Sequence, residues 1–172
     1  MQRLIHLSLL FYLLSACSFV TTVEESQPIK SIPIHFVNPN GTDQRATLIK
    51  EAQKLKGKKY KYGGTTPKGF DCSGFTSYVY QQIDMALPRS SSAQSQKGKK
   101  ITAGAAKPGD LLFFKLSKKG KISHVAMVVS NDKNGLEVIH STTSRGVIQE
   151  KIDDSIYWAE KLLYGRNYID AF

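Results

Sequence analysis

Cysteine is scarce in this chain of 172 residues: Cys17 and Cys72 are the only two. So few thiols exclude a disulfide-stapled scaffold. Acidic residues are few as well, 14 against 24 Lys and Arg, for a formal net charge of +10. The surplus is scattered through loops such as Lys54 to Lys61 and Lys115 to Lys121. It reads as a solvated face suited to anionic surfaces, such as cell-wall polymer or lipid head groups. No apolar run reaches the roughly 20 residues that a membrane span needs. Internal repeats and low-complexity blocks are missing too, and the length fits a single folded domain.

The N-terminus carries a different signal. Arg3 precedes an apolar run from Leu7 to Leu14 broken only by Ser8, and Leu14-Ser15-Ala16-Cys17 follows. This resembles a bacterial lipoprotein signal, in which small residues admit the peptidase and the new N-terminal cysteine carries the lipid. The alternatives are an ordinary secretory signal or an N-terminal membrane helix. Residues 1–16 are accordingly expected to be removed, with Cys17 lipidated. Ser18, where an aspartate would signal otherwise, points to the periplasmic face of the outer membrane. Residues 17–41 hold three prolines and no sustained period, and read as an extended tether. The folded domain is expected over 42–172. An exported, lipid-anchored chain without a nucleic-acid motif leaves nucleic acid aside as a partner, and a monomer is expected. With Cys17 assigned to lipid and Cys72 to chemistry, no disulfide is expected.

Within the domain, Leu48, Ile49, Ala52 and Leu55 form a helical stripe that Thr42 or Asp43 could cap and Gly57 could end. Phe75, Tyr78, Val79 and Ile83 mark a second helix, and Ser90 to Gln96 a short third. Beyond Pro108-Gly109-Asp110 the period changes to that of strands: Leu111 to Phe114, Ile122 to Val129, Leu136 to Ser141, Val147 to Gln149 and Leu163 to Ile169. Helices first and an antiparallel sheet afterwards is an α+β arrangement.

Cys72 falls at the predicted start of the second helix, where unpaired backbone N–H groups and the helix dipole favour thiolate. With a cationic histidine beside it, such a thiol can fall from about 8.5 to roughly 3.5–7.5. The histidines come from the hairpin around Asn131 to Gly135. A three-residue loop makes paired residue numbers sum to 264 and sets His124 opposite His140. A five-residue loop makes them diagonal neighbours on one face, and an even-numbered loop separates them. A nucleophile, a base and an orienting group are thus available in Cys72, His124 and His140. A zinc site on the same three residues is the rival reading, though the usual closely spaced ligand pairs are missing.

Tyr60-Lys61-Tyr62-Gly63-Gly64, Gly69-Phe70-Asp71-Cys72-Ser73-Gly74-Phe75, Leu87-Pro88-Arg89-Ser90, Pro108 to Phe114, His124-Val125-Ala126 and Ile139-His140-Ser141 resemble the successive motifs of the NlpC-type cell-wall cysteine peptidases. The resemblance runs from about Ala46 to Phe172. It implies a papain-like core and hydrolysis of peptidoglycan stem peptides, typically next to D-glutamate, with no metal or organic cofactor. It also implies Cys72 as nucleophile, His124 as base, His140 as the orienting residue, and Tyr60 with the Cys72 N–H at the oxyanion. Asp71, Ser73, Arg89 and Ser90 would line the substrate groove, although Asp71 could equally be only a helix cap. An amidase or acyltransferase on the same fold, or a lipoprotein that binds peptidoglycan without cutting it, are the alternatives.

Overall fold

The computed structural model of the chain describes residues 42–116 and 121–170. The expected signal, Cys17 and the tether lie outside the described residues. Helix α1 spans Thr42–Gln53 and buries Leu48 and Ala52, as its stripe requires. Leu55 is buried just past the helix, and Gly57, at φ +81°, turns the chain away. A left-handed φ of this kind is inexpensive only for glycine. Two short strands, β1 (Thr65–Thr66) and β2 (Gly69–Phe70), form a small hairpin that leads into α2 (Cys72–Gln81). Helix α3 (Ser91–Gln94) follows, capped by the Ser90 hydroxyl, which accepts from Ala93 N.

The rest is an antiparallel sheet. Its strands are β3 (Lys99–Ile101), β4 (Leu111–Phe114), β5 (His124–Asp132), β6 (Gly135–Thr142), β7 (Gly146–Lys151) and β8 (Leu162–Asn167), in the order β3-β8-β4-β5-β6-β7. A short helix, α4 (Ile156–Ala159), sits between β7 and β8. Alternation along the strands gives the sheet two apolar faces. Leu111, Phe113, Val125, Met127 and Ile139 join Leu48, Phe75 and Val79 of the helices in one core. Leu112, Phe114, Ala126, Val128 and Val138 form a second core with Ile152 and Trp158 of the chain that crosses the other face. Strand β4 is buried at all four positions because both its faces are covered.

The α+β architecture expected from the sequence is the one observed. The hairpin register is reached by another route. Asp132 pairs with Gly135, so the turn is the two residues Lys133 and Asn134, an even number. On its own that would separate the histidines. A β-bulge between Val128 and Ser130 changes the pairing sum from 267 to 266, as in Met127↔Ile139. The extra residue restores the parity that the turn removes. His124 and His140 therefore end as diagonal neighbours on one face.

Candidate active site

Cys72 opens α2, with Asp71 as N-cap: its Oδ1 accepts from Gly74 N at 2.7 Å. The helix start is held by a close backbone approach. A Cβ on Gly74 would collide with the Gly64 carbonyl, which also accepts from Asp71 N at 3.0 Å. That contact fixes the Gly63-Gly64 loop, and with it Tyr60, against the cysteine. Burial pushes the Cys72 thiol up; a hydrogen bond from Val125 N opposes it, and the nearby Asp71 carboxylate adds to the rise. The lowering expected from the helix terminus is thus outweighed in the resting site, because the N–H groups of Ser73 and Cys72 act against a larger desolvation cost.

His124 is the first residue of β5 and stands at the end of the sheet, its side chain buried against Phe114 and Trp158. Its Nε2 lies 2.9 Å from His140 Nδ1. Burial, assisted by His140, pulls His124 down to about 3, so its ring is neutral near pH 7. His140 is fully buried and also lowered by burial, which the nearby Glu150 carboxylate only partly offsets. Cys72, His124 and Tyr60 line one groove of about 480 Å³, whose far wall includes Arg145, Tyr157 and Trp158. Burial first, and then nearby Cys72, raise the Tyr60 hydroxyl, so it remains a proton donor.

The other predicted residues divide. Arg89 Nη2 pairs with Asp71 Oδ2 at 2.6 Å, and Arg89 Nη1 reaches Ser73 Oγ at 3.1 Å. Burial alone would raise the Asp71 carboxyl, but the Arg89 hydrogen bond and the cap hold it below its ordinary value. Asp71, Ser73 and Arg89 thus form a polar cluster beside Cys72 in which Asp71 is the helix cap, and neither they nor Ser90 are among the residues that line the groove. Ser90 caps α3. Among the described residues, no three His, Cys, Asp or Glu side chains converge as a metal site.

Three neighbours were not legible from sequence. Glu150 Oε1 lies 2.9 Å from His140 Nε2 and accepts from Trp158 Nε1 at 2.9 Å, while Arg145 Nη2 pairs with Glu150 Oε2 at 2.7 Å. The indole of Trp158 stacks on His124, with ring centroids 5.1 Å apart and planes at 24°. The available signal was strand alternation in β7, which sets Glu150 on the same sheet face as Ile148, the partner of His140.

Comparison with known proteins agrees with these motifs. The NlpC/P60 family model matches residues 57–167. The chain is 41% identical over 117 residues to the gamma-DL-glutamyl hydrolase of Bacillus subtilis, covering 65% of this chain but only 27% of that protein's length. It is 30% identical over 162 residues to Escherichia coli MepS, a murein DD-endopeptidase and murein LD-carboxypeptidase, covering 87% of this chain and 82% of that one. The crystal structure of the NlpC/p60 domain of the peptidoglycan hydrolase SagA matches with a TM-score of 0.60 at 32% identity, over 72% of this chain and 97% of that domain. The helices and mainly antiparallel sheet are the papain-like arrangement of these relatives. With the family's sequence pattern spanning most of the folded domain and its fold recovered, the chain belongs to the NlpC/P60 family.

Proposed function

We propose that this protein is a cysteine endopeptidase that cuts peptidoglycan stem peptides, with Cys72 as nucleophile, His124 as base and His140 as the residue that orients the base. The observation that carries this reading is the shared groove: a helix-terminal thiol and a hydrogen-bonded histidine pair line or directly support it. His124 Nε2 is engaged by His140, which leaves Nδ1 for the thiol proton. The thiolate attacks the amide carbonyl, and the oxyanion is held by the Cys72 N–H and the Tyr60 hydroxyl; losing one such donor costs about 10²-fold or more in rate. His124 returns the proton to the leaving amine, and water, deprotonated by the same ring, releases the acid from the thioester. The Asp71, Ser73 and Arg89 cluster lies beside Cys72, outside the lining of that groove, and is proposed to meet the peptide where it runs past the nucleophile.

The bond proposed is that between γ-D-glutamate and meso-diaminopimelate. A second reading, cleavage of a DD cross-link, is favoured by MepS, which aligns over most of both chains. Digestion of purified peptidoglycan with mass spectrometry of the fragments separates them. Fragments ending in L-alanyl-γ-D-glutamate support the first, and uncrosslinked but otherwise intact stems the second. Free muramic acid beside peptides that begin with L-alanine would mean an amidase. Cys72→Ala and His124→Ala should each abolish cutting, while His140→Ala should retain part of it.

The protein is further proposed to be a lipoprotein on the periplasmic face of the outer membrane, anchored through Cys17. Support comes from Leu14-Ser15-Ala16-Cys17. Labelled fatty acid should enter the wild type and not Cys17→Ala; equal labelling would reject the anchor.

A further inference from the structure

We propose that Glu150 is a positioning residue that sets the tautomers of both histidines and so presents an unprotonated His124 nitrogen to Cys72, an inference that rests on the hydrolytic reading above. His124, His140 and Glu150 lie on three adjacent strands, β5, β6 and β7, and on one face of the sheet. They form a chain of contacts, each of 2.9 Å: His124 Nε2 to His140 Nδ1, and His140 Nε2 to Glu150 Oε1.

An ionised carboxylate can only accept hydrogen bonds. Glu150 is surrounded by donors that require it to be ionised: Arg145 Nη2 reaches both of its oxygens, at 3.0 and 2.7 Å, and Trp158 Nε1–H points at Oε1. Its carboxyl is held below the ordinary range by Arg145 and His140 despite burial. His140 must therefore carry its proton on Nε2, which leaves Nδ1 as an acceptor. His124 in turn must donate from Nε2, and its Nδ1 keeps the lone pair. One carboxylate thus fixes two rings. When His124 takes the thiol proton, the same carboxylate lies at the far end of the chain and answers the new positive charge. Without Glu150, His140 could place its proton on either nitrogen, and a proton on Nδ1 would force His124 into the form that cannot act as base.

The test is made on the full chain. Nitrogen-15 NMR of the histidine rings in Cys72→Ala protein near pH 7 should show Nε2–H on both His124 and His140. Adding Glu150→Ala should abolish the fixed Nε2–H tautomer of His140. In the active enzyme, Glu150→Ala should lower kcat by about 10- to 100-fold with KM within about twofold, short of the roughly 10⁴-fold seen when a catalytic histidine is held directly in the wrong tautomer. Glu150→Gln retains an oxygen acceptor but no charge. It should preserve the tautomers and lower kcat less than Glu150→Ala does. Unchanged tautomers in Glu150→Ala, or wild-type kcat in both variants, would overturn the proposal. Should Glu150→Ala fail to fold, Glu150→Met, of similar size but with no oxygen acceptor, takes its place, and unchanged tautomers there overturn the proposal. The NMR measurement needs no turnover. A tautomer change found while the wild-type protein cuts no peptidoglycan would therefore sink the hydrolytic reading and leave the positioning role intact.

Discussion

The proposed chemistry turns on residues that are neutral at rest for one shared reason, burial. Desolvation pushes the Cys72 thiol up and pulls His124 down to about 3, so the resting pair is thiol and imidazole. In the mechanism proposed above, proton transfer would then accompany substrate binding. A stability signature follows. His124 has an ordinary value near 6.5 when unfolded, so below that pH the unfolded chain binds the proton that the fold excludes. The stability associated with neutral His124 is complete above pH 6.5 and is lost as pH falls toward 3. Between pH 6.5 and 4.5, before ionised Asp71 and Glu150 take up protons, the loss should be about 2–3 kcal/mol at about 1.4 kcal/mol per pH unit. His140, also lowered, acts in the same direction. Urea unfolding at several pH values checks this, and His124→Gln should flatten the slope. A variant as steep as wild type would locate the sensitivity elsewhere.

Legibility from sequence also varied by element. Helix α2 was readable because Phe75 and Val79 recur at helical spacing and Asp71 and Gly69 precede them; both apolar residues are buried in the helix-facing core. Strands β4 to β8 were found, with ends that moved by a few residues. Strand β3 was missed because it is two lysines and an isoleucine on a sheet edge, an arrangement that suppresses the apolar alternation by which strands are recognised. Helix α4 has four residues, too few for any period, and so Trp158 gave no hint of the histidine that it covers. For Glu150 the missing information was register. Nothing local says that a carboxylate ten residues past His140 returns beside it. The histidine pair itself was read correctly from an incorrect loop length. Its true basis, a two-residue turn compensated by a bulge, is testable. Deleting the bulged Val129 leaves Val128 opposite Val138 in a regular ladder, so the His124–His140 pair and cutting should both survive. Inserting one residue between Ala126 and Met127 instead turns His124 to the other face and should abolish cutting. Circular dichroism should show both variants folded. Undiminished activity in the insertion variant would mean that register does not place the pair.

At the scale of the whole molecule, the groove and the charge serve different steps. The chemistry proposed for the groove depends on groups in close contact, such as His124 and His140 at 2.9 Å, largely screened from bulk ions by burial. The excess of 24 Lys and Arg over 14 Asp and Glu instead acts at range. Lys54, Lys58, Lys59 and Lys61 lie on the approach between α1 and the Tyr60 loop; the first three are exposed, as is Lys61. Such a field raises encounter rates with a polyanion, and it is screened once the Debye length falls below the separation, about 10 Å at 0.1 M salt and about 3 Å at 1 M. Digestion of intact, anionic sacculi should therefore slow by several-fold between 0.05 and 0.5 M salt, about a threefold change in Debye length. Cleavage of a short soluble stem peptide, which presents few charges and needs only the groove, should change by less than about twofold over the same range. Replacing Lys58, Lys59 and Lys61 together by glutamine should remove much of the salt dependence on sacculi and leave kcat on the short peptide unaltered. Equal salt sensitivity on both substrates would place the effect in the groove and not in the approach, and the surface charge would then have no part in capture of the wall.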